Sequence, residues 1–204
     1  MKAVARAPRG EVRIIGGALR RRRLQVAAVD GVRPSTDRVR ETLFNWLGQD
    51  LSGWAVLDLF AGSGALGFEA ASRGAARVVM VEHHPQVLKV LRQNRDALGL
   101  ASVQIVQADA RIWRGSVPEP FDLITADPPF DDARAAQLLA HLRTGLSTCL
   151  KPSGMVYLET PLPVVPGDGW QVFRAGRAGR VHYQLLVPDD PRTTPGGAPN
   201  QGVE

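Results

Sequence analysis

From Trp54 onward, short apolar runs alternate with longer stretches in which apolar residues recur every three or four positions. The runs at about 55–59, 77–82, 103–106, 122–126 and 154–159 predict strands, and the stretches near 65–73, 85–98 and 133–148 predict helices. Apolar strands that alternate with helices in this way predict a parallel sheet covered on both faces, an α/β fold. The pattern then changes. "WQVFRAG" and "VHYQLLV" flank the turn-rich "RAGR", which predicts an antiparallel pair closing the sheet edge.

Two further elements precede this body. "EVRIIGGALRRRRLQV" reads as two short strands around Gly16-Gly17, a hairpin with Arg20, Arg21, Arg22 and Arg23 on or beside it. "RPSTDRVRETLFNWLGQ" reads as a helix whose start is marked by Pro34, Ser35, Thr36 and Asp37. Its apolar stripe is Val39, Leu43, Trp46 and Leu47, which leaves Arg38 and Glu41 mostly off the buried face. At the other end, "PDDPRTTPGGAPNQGVE" has almost no large apolar side chain and is expected to be disordered. The expected organisation is a basic hairpin extension over 1–34, an α/β domain over 35–187 and a tail over 188–204. No internal repeat is present.

Composition narrows the setting. A chain of 204 residues suits one medium domain with a real core. No apolar run approaches the roughly 18 residues that span a bilayer, and the N-terminus lacks a signal-like apolar core. A single cysteine, Cys149, excludes an internal disulfide and a multi-cysteine zinc site. The four histidines show no metal-ligand spacing. A soluble cytoplasmic protein with no metal and no membrane partner is therefore expected.

Charge adds a partner. Residues 1–40 hold eleven basic side chains against Glu11, Asp30 and Asp37, a local excess of eight in a chain whose total is +5. An arginine-rich coding bias accounts for arginine over lysine, but not for an excess gathered at one end. A basic segment on a mildly acidic body points to a polyanion, nucleic acid above all.

Candidate chemistry begins in "DLFAGSGALGFEA", Asp58 to Ala70. Gly62-x-Gly64-x-x-Gly67 fits a dinucleotide-binding turn, and Glu82 lies where such folds place a ribose-binding acid. The glycines alone do not separate NAD from another nucleoside. Asp58 argues against a pyrophosphate, because a carboxylate at the end of the first strand of the sheet would repel it. That carboxylate suits a cationic ligand, such as the amino group and sulfonium of S-adenosylmethionine (SAM). Glu82 can accept from both ribose hydroxyls, and Asp109, in "VQADA", from an adenine 6-amino group. Each acid also has a structural reading: Asp58 as a helix or loop cap, Glu82 as a solvated strand end, Asp109 as the N-cap of the next short helix.

"DPPF", Asp127 to Phe130, follows the apolar run "FDLITA" and so sits at the carboxyl end of a strand. The exocyclic amine of a nucleobase is a poor nucleophile, because its lone pair is delocalised into the ring. The Asp127 carboxylate and the Pro128 carbonyl, accepting its two N–H groups, would hold the nitrogen toward a methyl donor and make it more electron-rich. Pro128 and Pro129 stiffen the turn and remove competing N–H groups. Phe130 offers a face on which the base can stack, worth roughly 1–3 kcal/mol.

From Val56 through Phe130 the chain resembles the class I SAM-dependent methyltransferases, and "DPPF" resembles the catalytic motif of their amino-methylating branch. That motif serves enzymes acting on adenine N6, guanine N2, cytosine N4 and protein glutamine, so it fixes the chemistry and leaves the substrate open. "RIIGGALRRRRLQV", "RPSTDRVRETLFNWL", "DLFAGSGALGFEA" and "DPPF", in this order, closely resemble the RsmD family, bacterial methyltransferases of a guanine N2 in 16S ribosomal RNA. The departures are small: "RPST" stands where "RPTT" is expected, and "DLF" where some relatives read "DCF".

The resemblance implies a Rossmann-like fold with a mostly parallel seven-stranded sheet, an antiparallel edge hairpin and a small N-terminal β-hairpin extension. It implies methyl transfer from SAM, with S-adenosylhomocysteine as product, by a monomer acting on ribosomal RNA of the small subunit or its assembly intermediate. Asp127, Pro128, Pro129 and Phe130 would be catalytic. Asp58, Phe60, Ala61, Gly62, Ser63, Gly64, Glu82, Asp109, Ala110, Thr36 and Arg38 would hold the donor. Arg20, Arg21, Arg22, Arg23, Arg33 and Arg40 would hold RNA, with Arg33, Thr36, Asp37, Arg38 and Arg40 bordering the transfer site. An adenine-N6 methyltransferase, and a non-catalytic RNA-binding assembly factor tuned by SAM, are the competing expectations.

Overall fold

A computed structural model describes residues 10–29, 36–113, 119–128 and 147–189. Among these, β1 (Glu11–Arg13) and β2 (Arg23–Gln25) pair antiparallel as a separate small sheet, and α1 (Asp37–Trp46) follows. The body then runs β3 (Ala55–Asp58), α2 (Ala65–Ser72), β4 (Arg77–Glu82), α3 (Pro85–Leu98), β5 (Val103–Gln107) and β6 (Phe121–Ala126). A short 3-10 turn (Ser147–Cys149) leads into β7 (Leu150–Thr160), β8 (Trp170–Ala178) and β9 (Val181–Pro188). The helix expected near 133–148 lies outside the described residues apart from that turn, as do all but the first two residues of the expected tail.

The seven strands are ordered β5-β4-β3-β6-β7-β9-β8. β9 is antiparallel to both of its neighbours and every other pairing is parallel, so the closing pair inserts its second strand between β7 and β8. The chain leaves β3 toward β4 and β5, then returns to β6 on the opposite flank of β3. That reversal opens a crevice beyond the carboxyl ends of β3 and β6, where open α/β sheets bind their ligands.

β3 is buried along its whole length, as expected of a central parallel strand. The covering elements have different characters. In α3, Val87, Leu88 and Leu91 face the sheet while the other side is solvated. α2 is apolar almost all round and buries all but one of its eight residues, because the N-terminal extension covers its outer side. Val12, Ile14, Leu24 and Val26 of that extension share one apolar cluster with Val39, Leu43 and Phe44 of α1 and with Phe68 of α2. The stripe read from the sequence in α1 is thus widened by Phe44, while Trp46 stays half-buried.

A buried polar knot fixes the extension in place. Glu69 of α2 accepts from the Ile15 and Gly16 amides at 2.8 and 2.7 Å, from the Arg73 Nε at 3.0 Å and from Arg40 at 3.4 Å. Arg40 in turn donates to the Arg13 carbonyl at 2.9 Å and to Asp37 at 2.6 Å. At the C-terminal end of α2, the Ser72 carbonyl accepts from Ala18 at 2.7 Å, and the Ser72 hydroxyl donates to the Gly16 carbonyl at 2.6 Å. The expected hairpin therefore has a wide loop, Ile14 to Arg22, moulded onto α2. No described helix is long and apolar enough to cross a membrane.

Candidate active site

Two glycines shape the turn between β3 and α2. Gly64 caps the helix with φ +78°, and a Cβ there would lie 2.6 Å from the Phe68 ring. Gly67 sits in the first turn of α2, where a Cβ would meet Asp58 Oδ2 and the Met80 side chain at 3.0 Å. This close approach lets the Gly67 amide donate to Asp58 Oδ2 at 3.0 Å, while the Thr125 hydroxyl of β6 bonds Asp58 Oδ1 at 3.1 Å. Asp58 is 1% exposed. Burial pushes its carboxyl up to about 6, opposed by the bonds from Thr125 and Gly67 and reinforced by the charges of Glu82 and Glu159. Asp58 therefore serves as a helix cap, one of its two structural readings. The carboxylate thereby occupies an amide in the first turn of α2, a kind of group that bound phosphates use.

Glu82 ends β4 and ties the glycine turn to the next one. Its Oε2 accepts from Gly62 N at 3.1 Å, and its Oε1 accepts from His83 N and His84 N at 2.7 and 2.8 Å. His84 caps α3 through Nδ1, which accepts from Gln86 N at 3.2 Å. Asp109 follows β5, and its carboxylate is engaged by its own neighbour. Arg111 donates its Nε at 2.8 Å and its backbone amide at 3.0 Å, with a further contact from its Nη2. The arginine hydrogen bond holds the Asp109 carboxyl down at about 2. Asp109 thus caps the turn 110–112, in keeping with its structural reading. To meet an adenine amine, its carboxylate must keep an acceptor position beside Arg111.

Asp127 lies two residues beyond Thr125, the register partner of Asp58 in β6, so the two aspartates flank the switch point on adjacent strands. Asp127 is half-buried and Pro128 buried. Pro129, Phe130 and Arg33 lie outside the described residues. Ala61, Ser63 and Ala110 are buried around the turns and Phe60 is half-buried. Thr36 caps α1, its hydroxyl accepting from Val39 N at 3.4 Å, and Arg38 is exposed on the same helix.

The arginines divide. Arg20, Arg21, Arg22 and Arg23 are all exposed, and Arg23 pairs with Glu11 at 2.8 Å. They are held at the C-terminal end of α2, the side from which β3 and β4 start, since Leu51 N bonds the Arg73 carbonyl and Ala76 N bonds the Trp54 carbonyl just before those strands. Arg40 has to be corrected. It is 0% exposed and locked between Glu69, Asp37 and the Arg13 carbonyl, so it fastens the extension and presents nothing to RNA. The sequence shows it on the helix face beside Val39, but only the buried Glu69 explains how a guanidinium is tolerated there.

One further acid joins the site without having been expected from the sequence. Glu159 is the penultimate residue of β7 and is 3% exposed, and the Tyr157 hydroxyl donates to its Oε1 at 3.0 Å. A signal for it exists, because "VYLET" carries an acid one residue before the end of its strand, where β3 and β4 carry theirs at the last residue. Asp58, Glu82 and Glu159 thus lie close enough at the carboxyl ends of their strands for the charges of the latter two to act on Asp58, and Asp127 follows β6 at the same rim. Among the described residues, no group of acids, histidines and cysteine is arranged to hold a metal ion.

A doubly wound sheet with one antiparallel insertion, a glycine turn and an acid at the switch point define a Rossmann-like fold of the class I methyltransferase type. The chain belongs to the family described as Conserved hypothetical protein 95, whose model matches residues 12–187. It is 38% identical over 180 residues to "Ribosomal RNA small subunit methyltransferase D" of Escherichia coli (strain K12), covering 86% of this chain and 89% of the relative. The protein of the same name from Haemophilus influenzae is 39% identical over 183 residues, covering 87% and 94%. Among solved structures, a putative methyltransferase (yhhF) from Escherichia coli aligns with a TM-score of 0.78 at 36% identity, covering 88% of this chain and 98% of that one. An RNA methyltransferase from Salinibacter ruber in complex with S-adenosyl-L-homocysteine shares the fold at 21% identity and a TM-score of 0.60, covering 78% of this chain and 95% of that one.

Proposed function

We propose that this protein transfers a methyl group from SAM to the exocyclic N2 amine of a guanine in small-subunit ribosomal RNA. The Asp58–Gly67 bond carries the choice of donor. It puts a carboxylate where a dinucleotide would place its pyrophosphate, and with Glu82 it leaves a crevice suited to a positively charged nucleoside. The substrate class rests on the names of the relatives matched over most of both chains.

The donor supplies an electrophilic methyl group on a sulfonium, and the chain's own residues do the rest. Asp58 and Glu82 order the two turns that line the crevice and offer their charge to the donor's cationic and ribose groups. Asp127 and the Pro128 carbonyl accept the two N–H groups of the guanine amine, which directs the nitrogen lone pair along the line of transfer. The carbon–sulfur bond breaks as the nitrogen–carbon bond forms, leaving a neutral thioether. The extra proton on nitrogen departs to an acceptor at the rim or to water. The base must be unpaired or flipped out of its stack to reach Asp127.

The test is methylation of small subunits purified from cells lacking this protein, with the nucleosides identified by mass spectrometry. N2-methylguanosine is the expected product. N6-methyladenosine would replace guanine by adenine, and no methyl transfer would reject an enzymatic function on this substrate.

A further inference from the structure

β9 runs antiparallel to both β7 and β8, so β8 points the same way as the parallel strands and ends at the rim that carries the nucleoside crevice. The turn after it, Gly179-Arg180, therefore stands at that rim, on the flank of β6 away from the glycine turn. Ala126 of β6, Leu158 of β7, Gln184 of β9 and Ala175 of β8 form one row across the sheet. Asp127 lies just past this row on β6 and Arg177 just past it on β8, three strand spacings or about 14 Å away.

The turn is built to stay in place. Gly179 takes φ +60°, the left-handed conformation that glycine supplies to tight hairpin connections. The buried Gln184 accepts from the Val164 amide at 2.6 Å and donates to the Val164 carbonyl at 3.0 Å, which fastens the chain entering β8 onto β9. Arg177 donates its Nε to the Gly179 carbonyl at 2.9 Å, and its two terminal nitrogens have no partner among the described residues.

Charge on this hairpin is sorted by end. Arg177 and Arg180 are exposed at the rim, and neither forms an ion pair among the described residues. The acids Asp168 and Asp189 flank the opposite end, where Trp170 pairs with Pro188. Across from Arg177 stands His182, while Glu159 of β7 pairs with Tyr183 and so belongs to the other face of the sheet. Arg111, at the same rim beyond β5, is by contrast committed to Asp109. Guanidinium groups kept clear of carboxylates suit phosphate, which they meet with two parallel N–H bonds.

The other exposed arginine run stands elsewhere. Arg20 to Arg23 lie at the end of α2 opposite the glycine turn, so a polyanion anchored there must still be guided into the crevice. Phosphate contacts fix where a nucleic acid lies, and a base taken out of its stack needs its own stretch of chain held. We infer that Arg177 and Arg180 grip the phosphate backbone of the substrate RNA beside the base being methylated, on the side of Asp127 away from the donor. This inference rests on the methyl-transfer reading above and adds a second anchor for the same substrate.

The experiment measures filter binding of small subunits from cells lacking this protein, with S-adenosylhomocysteine present so that no turnover occurs. Changing Arg177 and Arg180 together to alanine should weaken binding roughly tenfold at about 0.15 M salt. It should also reduce the slope of log affinity against log salt by about one to two. In methylation assays KM for the subunit should rise while kcat and the Kd for SAM stay within about twofold, the mark of lost substrate binding. Changing both to lysine, which keeps the charge, should restore the slope. Subunits reconstituted on RNA with one neutral methylphosphonate linkage at a time, on either side of the modified guanine, locate the contact. One such linkage should weaken wild-type binding severalfold and leave the double-alanine variant unaffected.

An unchanged salt slope in the double-alanine variant overturns the inference, as does a lysine pair that fails to restore it. A fall in kcat or in SAM affinity in place of the rise in KM overturns it as well. A loss of affinity that no neutral linkage reproduces assigns the turn to a ribosomal protein instead. Absence of N2-methylguanosine from the wild-type reaction is a separate result, which rejects the methyl-transfer reading and leaves the grip on RNA to be decided by binding alone.

Discussion

The Gly67 amide donates to the buried Asp58 carboxylate at 3.0 Å, so an acid from the end of one strand caps a helix that begins seven residues later. This capping acid has its carboxyl raised to about 6, chiefly by burial. Its folded value exceeds the unfolded one, so the folded state takes up a proton between about pH 6 and 4 that the unfolded state does not. Asp58 therefore costs stability above pH 6, by about 3 kcal/mol, and the cost disappears as pH falls through that window. Asp58→Asn should flatten the pH dependence of the urea midpoint between pH 4 and 6. A midpoint profile identical to wild type would show that Asp58 does not titrate there.

The same titration should govern donor binding. Protonation removes the charge that favours a cation, so the dissociation constant for SAM should rise toward tenfold per pH unit below about 6. Above pH 6.5 it should be flat. Calorimetry from pH 5 to 7.5 reads this directly. A constant affinity across the range would mean that the Asp58 charge is not felt by the donor.

Removing Asp127 separates binding from chemistry. Asp127→Ala should lower kcat by about a hundredfold to a thousandfold, the scale on which single polar groups at a reacting centre act. SAM binding should change little, because Asp127 lies beyond β6 and outside the two turns organised by Asp58 and Glu82. Single-turnover methyl transfer, measured alongside donor titration, distinguishes the two effects. A variant of full activity would remove Asp127 from the reaction.

Glu69 should matter to stability far more than its place in an apolar helix suggests. Glu69→Gln leaves Arg40 and Arg73 facing a neutral group inside the protein. Breaking such a buried pair costs about 3–5 kcal/mol. Urea unfolding should show that loss, together with faster amide exchange at Ile15 and Gly16, whose hydrogen bonds end on the same carboxylate. Unchanged exchange at those two amides would mean that the extension is held by its apolar contacts alone.

The arginine run should read out as salt dependence. Arg23 is already paired with Glu11, leaving Arg20, Arg21 and Arg22 as the cations with most to give a phosphate. Changing Arg20 to Arg23 together to alanine should weaken subunit RNA binding and reduce the slope of log affinity against log salt by roughly two to three. Filter binding at several salt concentrations gives the slope. A slope equal to wild type places the RNA elsewhere.

The amino-acid sequence encodes much of this legibly, and unevenly so. The parallel core can be read from apolar runs because strands buried on both faces tolerate little else. β4 and α3 fall on the expected boundaries, and the glycine turn is marked by residues that its φ angles and close approaches require. Arg40 is different, because an arginine at a helix position looks solvated until its partner is known, and Glu69 lies 29 residues away. Glu159 is hard to read for a related reason. Its place at the site depends on the β6–β7 register, a long-range pairing that no local pattern encodes.

The knot around Glu69 also sets a length. The arginine-bearing loop is bolted to the far end of α2, and the near end of the same helix carries the glycine turn. An eight-residue helix is about 12 Å long, and nothing between its ends is free to stretch. The extension is thus less an arm than a ruler: a polyanion gripped by it would lie at a set distance from the nucleoside pocket.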